Sequence, residues 1–318
     1  MADHRITTND AQLVTRPEGD NPATVYLARL SPGSRRTMRQ CLDALALRLG
    51  GASGQAFPWG ELRYIHTQKL RADLAASGMA PATASKYLHA LRGALKEAWR
   101  LGQMSAEDHA RAADLAPLKG SALPAGRALS AGEIKALFRA CPDSTAGARD
   151  AALLALAYGA GLRRAELVAL DLADFNRETG ALTVRHGKGN RARTVYATNG
   201  GRLALDAWIT RRGSEAGALI VPVDKADRPT VARMTPQAVL YILRRCGERA
   251  GVAAFSPHDL RRTCISDLID GGADLVAVRD LAGHASVVTT SRYDRRGEAA
   301  KRHAAELLHV PFVARVAR

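Results

Sequence analysis

The segment that most constrains this 318-residue chain is Ala116-Pro-Leu-Lys-Gly-Ser-Ala-Leu-Pro-Ala-Gly-Arg-Ala128, with its two prolines and two glycines. Proline removes a backbone donor, glycine loosens φ, and the segment keeps no apolar period, so neither a helix nor a strand can run through it. The sequence on either side must then bury its own apolar surface. We therefore expect a loose N-terminal arm over 1–20, a first domain over 21–115, a linker over 116–128 and a second domain over 129–318.

The first flank reads as helical. Ser34 is placed to cap a helix in which Met38, Leu42, Leu45 and Leu49 share one face, and Gly50-Gly51 ends it. A second helix is expected from about Trp59 to Ala76, ending near Gly78, and Pro81 and Thr83 open a third. In the third, Tyr87, Leu88, Leu91, Leu95 and Trp99 form an apolar stripe, while Arg92, Lys96 and Arg100 recur every four residues along a basic one. Residues 21–100 hold twelve basic and four acidic side chains, a local net charge of +8. In such a segment the basic stripe reads as a face that contacts phosphate, with Arg36, Lys86, Arg92, Lys96 and Arg100 as candidates.

After the linker, Ser130 and Glu133 have capping-box spacing. The run Ala151-Ala-Leu-Leu-Ala-Leu-Ala-Tyr158 is apolar on nearly every side, as in a buried helix, and stops at Gly159-Ala-Gly161. From Gly180 to Ala197 the period changes to two. Leu182 and Val184 alternate with polar residues, Thr194-Val-Tyr196 is β-prone, and Gly187-Lys188-Gly189-Asn190 between them suits a hairpin tip. Helices are expected again from about Gly201 and from Thr235. The fold expected is mainly α in two domains, the second carrying one small antiparallel sheet.

Composition narrows the function. Lys plus Arg number 46 against 31 Asp plus Glu, a net charge of +15, which favours a polyanionic partner. The longest apolar stretch, Ala151 to Leu162, is too short to cross a bilayer, and the first residues lack the apolar core of a signal peptide. We expect a soluble, cytoplasmic, nucleoid-associated protein without a membrane partner. Cys41, Cys141, Cys246 and Cys264 are far apart in sequence and form no C-x-x-C pair, so reduced, packed thiols are expected rather than disulfides or zinc.

The residues with chemical potential sit beside polar punctuation. Gly161-Leu-Arg163-Arg164-Ala-Glu166-Leu167 places an arginine at a helix start. Lys188 lies on the hairpin tip. Ser256-Pro-His258-Asp259-Leu260-Arg261-Arg262-Thr263 opens a helix on which His258 and Arg261 share a face. Gly283-His284 and Thr289-Thr290-Ser-Arg292-Tyr293 complete the series, Tyr293 following His284 by nine residues. Singly these are turns, helix ends and surface charges; GKGN lacks the spacing of a nucleotide-binding P-loop.

In this order the motifs resemble those of the tyrosine recombinase and phage-integrase family: GLRRAEL, GKGNR, HDLRRT, LAGH and TTSRY stand where that family carries G-L-R-x-S-E-L, G-K-G-x-K, H-x-L-R-H-T, L-G-H and T-T-x-x-Y. The resemblance spans the second domain, and the basic first domain resembles the family's DNA-clamping core-binding domain, mainly over Ala82 to Met104. Ala165, Arg262 and Ala282 stand where serine, histidine and leucine are common. The resemblance implies a Xer-like two-domain, site-specific recombinase that cuts and rejoins double-stranded DNA through a 3′-phosphotyrosine, without ATP, metal or other cofactor. It implies Tyr293 as nucleophile, Arg163 and Arg261 as clamps on the phosphate oxygens, His258 as general base, Lys188 as general acid and His284 as a hydrogen bonder to the phosphate. Arg262 joins the candidate DNA contacts.

A guanidinium suits the clamp because it stays charged and can bond two oxygens at once. Glu166, one turn after Arg163, either orients the arginines or forms a plain helix ion pair. A helix from Glu298 to Val310 would present Ala300, Ala304, Leu307 and Leu308 on one side, packing on its own domain or, as the resemblance implies, on a neighbouring protomer in a dimer per site and a tetramer in synapsis. Other readings are a type IB-like topoisomerase and a catalytically silent DNA-binding protein. The biological task stays open between dimer resolution and mobile-element integration or excision.

Overall fold

The computed structural model describes residues 20–118, 126–185, 192–294, 296–306, 308, 309 and 311. Backbone proximity divides the chain into two compact units, Met1–Pro124 and Ala125–Arg318.

The described part of the first unit comprises helices α1 (Pro22–Ala28), α2 (Pro32–Arg48), α3 (Tyr64–Ala76), α4 (Pro81–Arg100) and α5 (Ala106–Ala113). Leu42 and Leu45 of α2, Leu70 and Leu74 of α3, and Leu88, Leu91 and Leu95 of α4 share one buried core with Phe57 and Trp59. Asn21 pins its edge: the side chain accepts from the Ala23 N–H at 2.9 Å and donates to the Phe57 carbonyl at 2.9 Å.

Two helix starts differ from the sequence reading. Helix α2 begins at Pro32 with Ser31, not Ser34, at the cap position, because proline has a helical φ and lacks an N–H that the first turn leaves unpaired anyway. Trp59–Glu61 is an isolated 3-10 turn, and α3 starts only at Tyr64. The Trp59 indole is buried and donates to the Gly54 carbonyl at 2.7 Å, which holds the chain in a turn there.

The α4 stripes also divide. Leu88, Leu91 and Leu95 are buried, but Trp99 is 41% exposed and stacks on His109 with ring centroids 5.4 Å apart. Arg92 turns along the protein and donates to the carbonyls of Ala113 and Leu115, tying down the end of α5. Arg100 pairs with buried Glu97 at 2.9 Å. Lys86 and Lys96 are exposed on α4, as is Arg36 on α2.

The second unit holds α6 (Ala131–Arg139), α7 (Thr145–Leu154), α8 (Arg164–Ala169), a two-stranded antiparallel sheet of β1 (Ala181–Val184) and β2 (Arg193–Tyr196), and α9 (Asn199–Arg212), α10 (Pro236–Ala250), α11 (Pro257–Asp270), α12 (Leu275–Ala282), α13 (Val287–Ser291) and α14 (Gly297–Glu306). The expected hairpin pairs Leu182 with Val195, both buried. The Ser130–Glu133 capping box forms: the Ser130 hydroxyl accepts from the Glu133 N–H at 3.2 Å, and the Glu133 carboxylate accepts from the Ser130 N–H at 2.8 Å. The apolar run around Ala151 is the central helix, packed with α9, whose buried Trp208 donates its indole N–H to the Leu219 carbonyl at 2.8 Å. The segment entering α6 is fastened to α11, with Arg127 N–H on the Asp259 carboxylate at 3.0 Å and Leu129 N–H on the Thr263 hydroxyl at 2.9 Å.

Helix α14 is described over Gly297–Glu306, and Leu308 and His309 are not helical, so the helix does not run on to the expected Val310, which lies outside the described residues. The side chains of Ala300, Ala304 and Leu307 lie outside those described, and Leu308 is 73% exposed. The described cysteines are unbridged thiols, with Cys41, Cys246 and Cys264 buried. Among the described residues, no helix is long and apolar enough to cross a membrane.

Gly93 lets α4 pass close to α1, since a Cβ there would overlap the Tyr26 ring. We expect Gly93→Ala to destabilise the protein by about 1–3 kcal/mol. Urea denaturation of the whole protein checks this through the loss of first-unit helix signal.

Candidate active site

The buried central helix ends in a π-helical turn, Ala155–Gly159, where the Ala160 N–H reaches back to the Ala155 carbonyl at 3.1 Å. Gly161 then reverses the chain with φ +60°, and a Cβ there would press on the Cys264 sulfur at 3.2 Å. The reversal points the Gly161 carbonyl at Arg261 and delivers Arg163 to the start of α8.

Arg163 is held by Glu166. One Glu166 oxygen accepts from the Arg163 backbone N–H at 3.0 Å, the other from its guanidinium at 2.7 Å. Glu166 is buried and receives a second guanidinium, that of Arg193 on β2: Nη1 to Oε1 at 3.0 Å and Nη2 to Oε2 at 2.7 Å. Burial alone would raise the Glu166 pKa, but the hydrogen bonds from Arg193 and Arg163 outweigh it and bring it down to about 2. Glu166 thus links two arginines, which exceeds a plain helix ion pair.

The C-terminal end of α12 gathers the guanidiniums. Gly283 ends the helix in the left-handed region with φ +61°. Three successive carbonyls then each accept from a different arginine: Leu281 from Arg193 Nε at 3.0 Å, Ala282 from Arg261 Nη2, and Gly283 from Arg163 Nη2 at 3.1 Å. Arg261 is only 1% exposed, and its Nη1 donates to the Gly161 carbonyl at 2.5 Å. Burial and the neighbouring charge of Arg163 lower its pKa to about 10, so it remains a cation at neutral pH.

His284 follows this helix end directly. Its Nδ1 lies 2.9 Å from the hydroxyl of buried Thr290 on α13. Burial, then the charges of Arg261 and Arg163, lower its pKa to about 4, so the ring is neutral at pH 7. The Tyr293 ring stacks on the His284 ring, with centroids 6.2 Å apart and an interplanar angle of 19°. Tyr293 packs against the small apolar cluster formed by Ile265, Ile269, Val278 and Ala282. Arg262, a candidate DNA contact by sequence, places its guanidinium carbon 5.6 Å from the Tyr293 ring centre.

His258 stands exposed in the first turn of α11, whereas Arg261, one turn on, is buried. Although solvent reaches the His258 ring, the protein around it partly desolvates it, and this together with the charges of Arg261 and Arg262 lowers the His258 pKa. Asp259 anchors this turn, accepting from the Ser256 N–H at 2.9 Å and the Arg127 N–H at 3.0 Å. Arg163, His258, Arg261, His284 and Tyr293 therefore belong to one cluster around the ends of α8, α11 and α12. Lys188 lies outside the described residues.

Sequence reasoning missed Arg193 and Thr290. For Arg193 the signal was strand alternation, since it lies two residues from buried Val195 and so on the inward face of β2, an unusual place for an arginine. Thr290 lies within TTSRY, where spacing alone gives it no role.

Among the described residues the second unit is helical with one hairpin, and it brings guanidiniums and imidazoles to a tyrosine, a set of groups able to hold a phosphate beside a phenolic oxygen. Residues 127–299 match the phage integrase family. The chain is 37% identical over 240 residues to tyrosine recombinase XerC of Azotobacter vinelandii, spanning 74% of this chain and 76% of that one. It is 34% identical over 236 residues to tyrosine recombinase XerD of Caulobacter vibrioides, spanning 70% and 73%. Its fold is that of a lambda integrase solved as a dimer bound to a COC′ core site (TM-score 0.65, 18% identity, 88% and 95% covered) and of the Tn1549 transposon integrase in complex with transposon right end DNA (TM-score 0.68, 17% identity, 91% and 99% covered). The chain belongs to the phage integrase family, the tyrosine recombinases.

Because burial depresses the pKa of both His258 and His284, the unfolded chain takes up protons that the folded protein refuses. For His284 this holds between the ordinary value of 6.5 and about 4. We expect stability to be full above that window and to fall as pH drops through it. His284→Asn should flatten that slope, measured as urea midpoints against pH.

Proposed function

We propose that in this site-specific DNA recombinase Tyr293 is the nucleophile, Arg163 and Arg261 hold the non-bridging oxygens of the scissile phosphate, His258 is the general base, His284 donates a hydrogen bond to the phosphate, and Lys188 is the general acid. The observation that carries this reading is the convergence of Arg163, Arg261 and His284 on the end of α12, with the Tyr293 ring stacked on His284.

The Tyr293 oxygen attacks phosphorus while His258 takes the phenolic proton. The bond to the 5′-oxygen breaks, and Lys188 protonates that oxygen. The product is a 3′-phosphotyrosine and a free 5′-hydroxyl, and a 5′-hydroxyl from a second duplex reverses the step. The bond energy stays in the covalent intermediate, so strand exchange needs no nucleotide. Neutral imidazoles support the assignment: a base must be unprotonated, and in the tautomer whose Nδ1 accepts from the Thr290 hydroxyl the His284 Nε2–H is left to donate. Guanidiniums answer the negative charge that gathers on the phosphate oxygens in the transition state.

The net charge of +15 supports double-stranded DNA as partner, with exposed Arg36, Lys86 and Lys96 as phosphate contacts of the first unit. A lambda integrase has been solved both as a dimer bound to a core site and as a tetramer bound to a Holliday junction. By family likeness, this chain acts as a dimer on each site and a tetramer in synapsis, with α14 and the residues after it docking on a neighbouring protomer. Its place is the cytoplasm, with the chromosome or a mobile element as substrate.

Nicked duplex DNA carrying the recombination site should trap a covalent adduct through Tyr293. Tyr293→Phe should bind the same DNA and form none; an adduct with the Phe variant would sink the assignment. Arg163→Lys and Arg261→Lys should each slow adduct formation by about 10²- to 10³-fold, because a point charge loses the fork.

A further inference from the structure

Arg193 has no role in the chemistry above, yet its guanidinium makes three directed hydrogen bonds beside it. It is 10% exposed, spans both oxygens of Glu166, and donates its Nε–H to the Leu281 carbonyl at 3.0 Å. An arginine on the inward face of a strand, with three directed bonds, is costly to bury unless its contacts are specific. Its position decides what Arg163 can do. Left alone with Glu166, Arg163 would form the bidentate pair that carboxylate and guanidinium favour, turning its fork onto Glu166. Arg193 covers both carboxylate oxygens, and with the Arg163 backbone N–H also on Oε2, Arg163 keeps a single guanidinium contact, to Oε1 at 2.7 Å. The other arm of Arg163 is then aligned by the Gly283 carbonyl, beside His284.

We propose that Arg193 is a positioning residue: it saturates Glu166 so that the Arg163 guanidinium is not drawn bidentately onto that carboxylate and keeps donor hydrogens free to meet the scissile phosphate. Through the Leu281 carbonyl it also anchors the end of α12 from which His284 projects. A guanidinium is required, because the task needs two parallel bonds to a carboxylate and a third to a carbonyl. The close approach of the helix end is part of the same device, since a Cβ on Gly283 would lie 3.0 Å from the Arg193 guanidinium.

The inference rests on the recombinase reading, and its test keeps the two separable. Single-turnover strand cleavage is measured with the full-length protein on a nicked duplex selected for binding by the wild type from randomised DNA. One version carries the ordinary phosphodiester at the scissile position and the other a methylphosphonate, which lacks the anionic oxygen. Arg193→Gln should slow cleavage of the phosphodiester by about 100-fold with DNA affinity unchanged. Much of that deficit, relative to wild type, should vanish on the neutral methylphosphonate, where aim of the Arg163 fork matters less. Arg193→Lys should show the same pattern and carries the test where Arg193→Gln does not fold. An equal deficit on both duplexes, a deficit that only tracks the folded fraction, or no deficit would each overturn the role. A wild type that cleaves neither duplex would overturn the recombinase reading instead.

Discussion

Three guanidiniums meeting three consecutive carbonyls at the end of α12 form the interaction on which the rest of the site depends. The end of a helix carries partial negative charge, so it is one of the few backbone features that can hold several cations together. The carbonyls and Glu166 compensate Arg163, Arg193 and Arg261 only in part. One carboxylate against three guanidiniums leaves a net charge of +2 in a partly buried place. That residue of positive charge costs desolvation energy in the unliganded protein and is relieved when an anion arrives. In the role proposed for Arg163 and Arg261, a phosphodiester with developing charge on its oxygens would supply that relief most fully in the transition state.

The same positive field governs the imidazoles. Burial and the surrounding arginines keep His284 neutral down to about pH 4 and lower His258 as well. Neutral rings can accept a proton or present a fixed N–H, whereas two imidazolium ions would add to a charge already in excess. Tyr293 reaches this field because α13 is short and its Thr290 serves both residues: its hydroxyl meets His284 Nδ1 at 2.9 Å, and its carbonyl accepts from the Tyr293 N–H at 3.0 Å. The nine-residue spacing of His284 and Tyr293 in the sequence is thus the length of chain needed to leave α12, form α13 and fold the phenol back over the imidazole.

Much of this was legible beforehand because it is local. Capping by Ser130 and Glu133, burial around Ala151, the hairpin pairing and the helix opening at Pro257 each depend on residues within a few positions. Misreadings came where local signals competed. Ser34 looked like a cap, but Pro32 begins the helix because its ring already sets φ. Trp99 had the spacing of a core residue but lies at the exposed edge of α4, stacked on His109. Arg92 shared its stripe with Lys96 but bends back to the α5 terminus, a partner that periodicity within one helix cannot reveal.

By itself the sequence determined the order of the main elements and the excess of positive charge that favours a polyanionic partner, since these follow from spacing and charge, while the candidate reactive groups were implied by the resemblance of its motifs to a known family. Only the tertiary structure decided that Glu166 faces two arginines rather than one, that Arg193 of the hairpin reaches the end of α12, and that Arg262 lies over Tyr293. The pairings made by Arg193 and Arg262 join residues from 27 to 88 positions apart. Directional hydrogen bonding in a buried, partly compensated electrostatic field selects them only once the chain has packed.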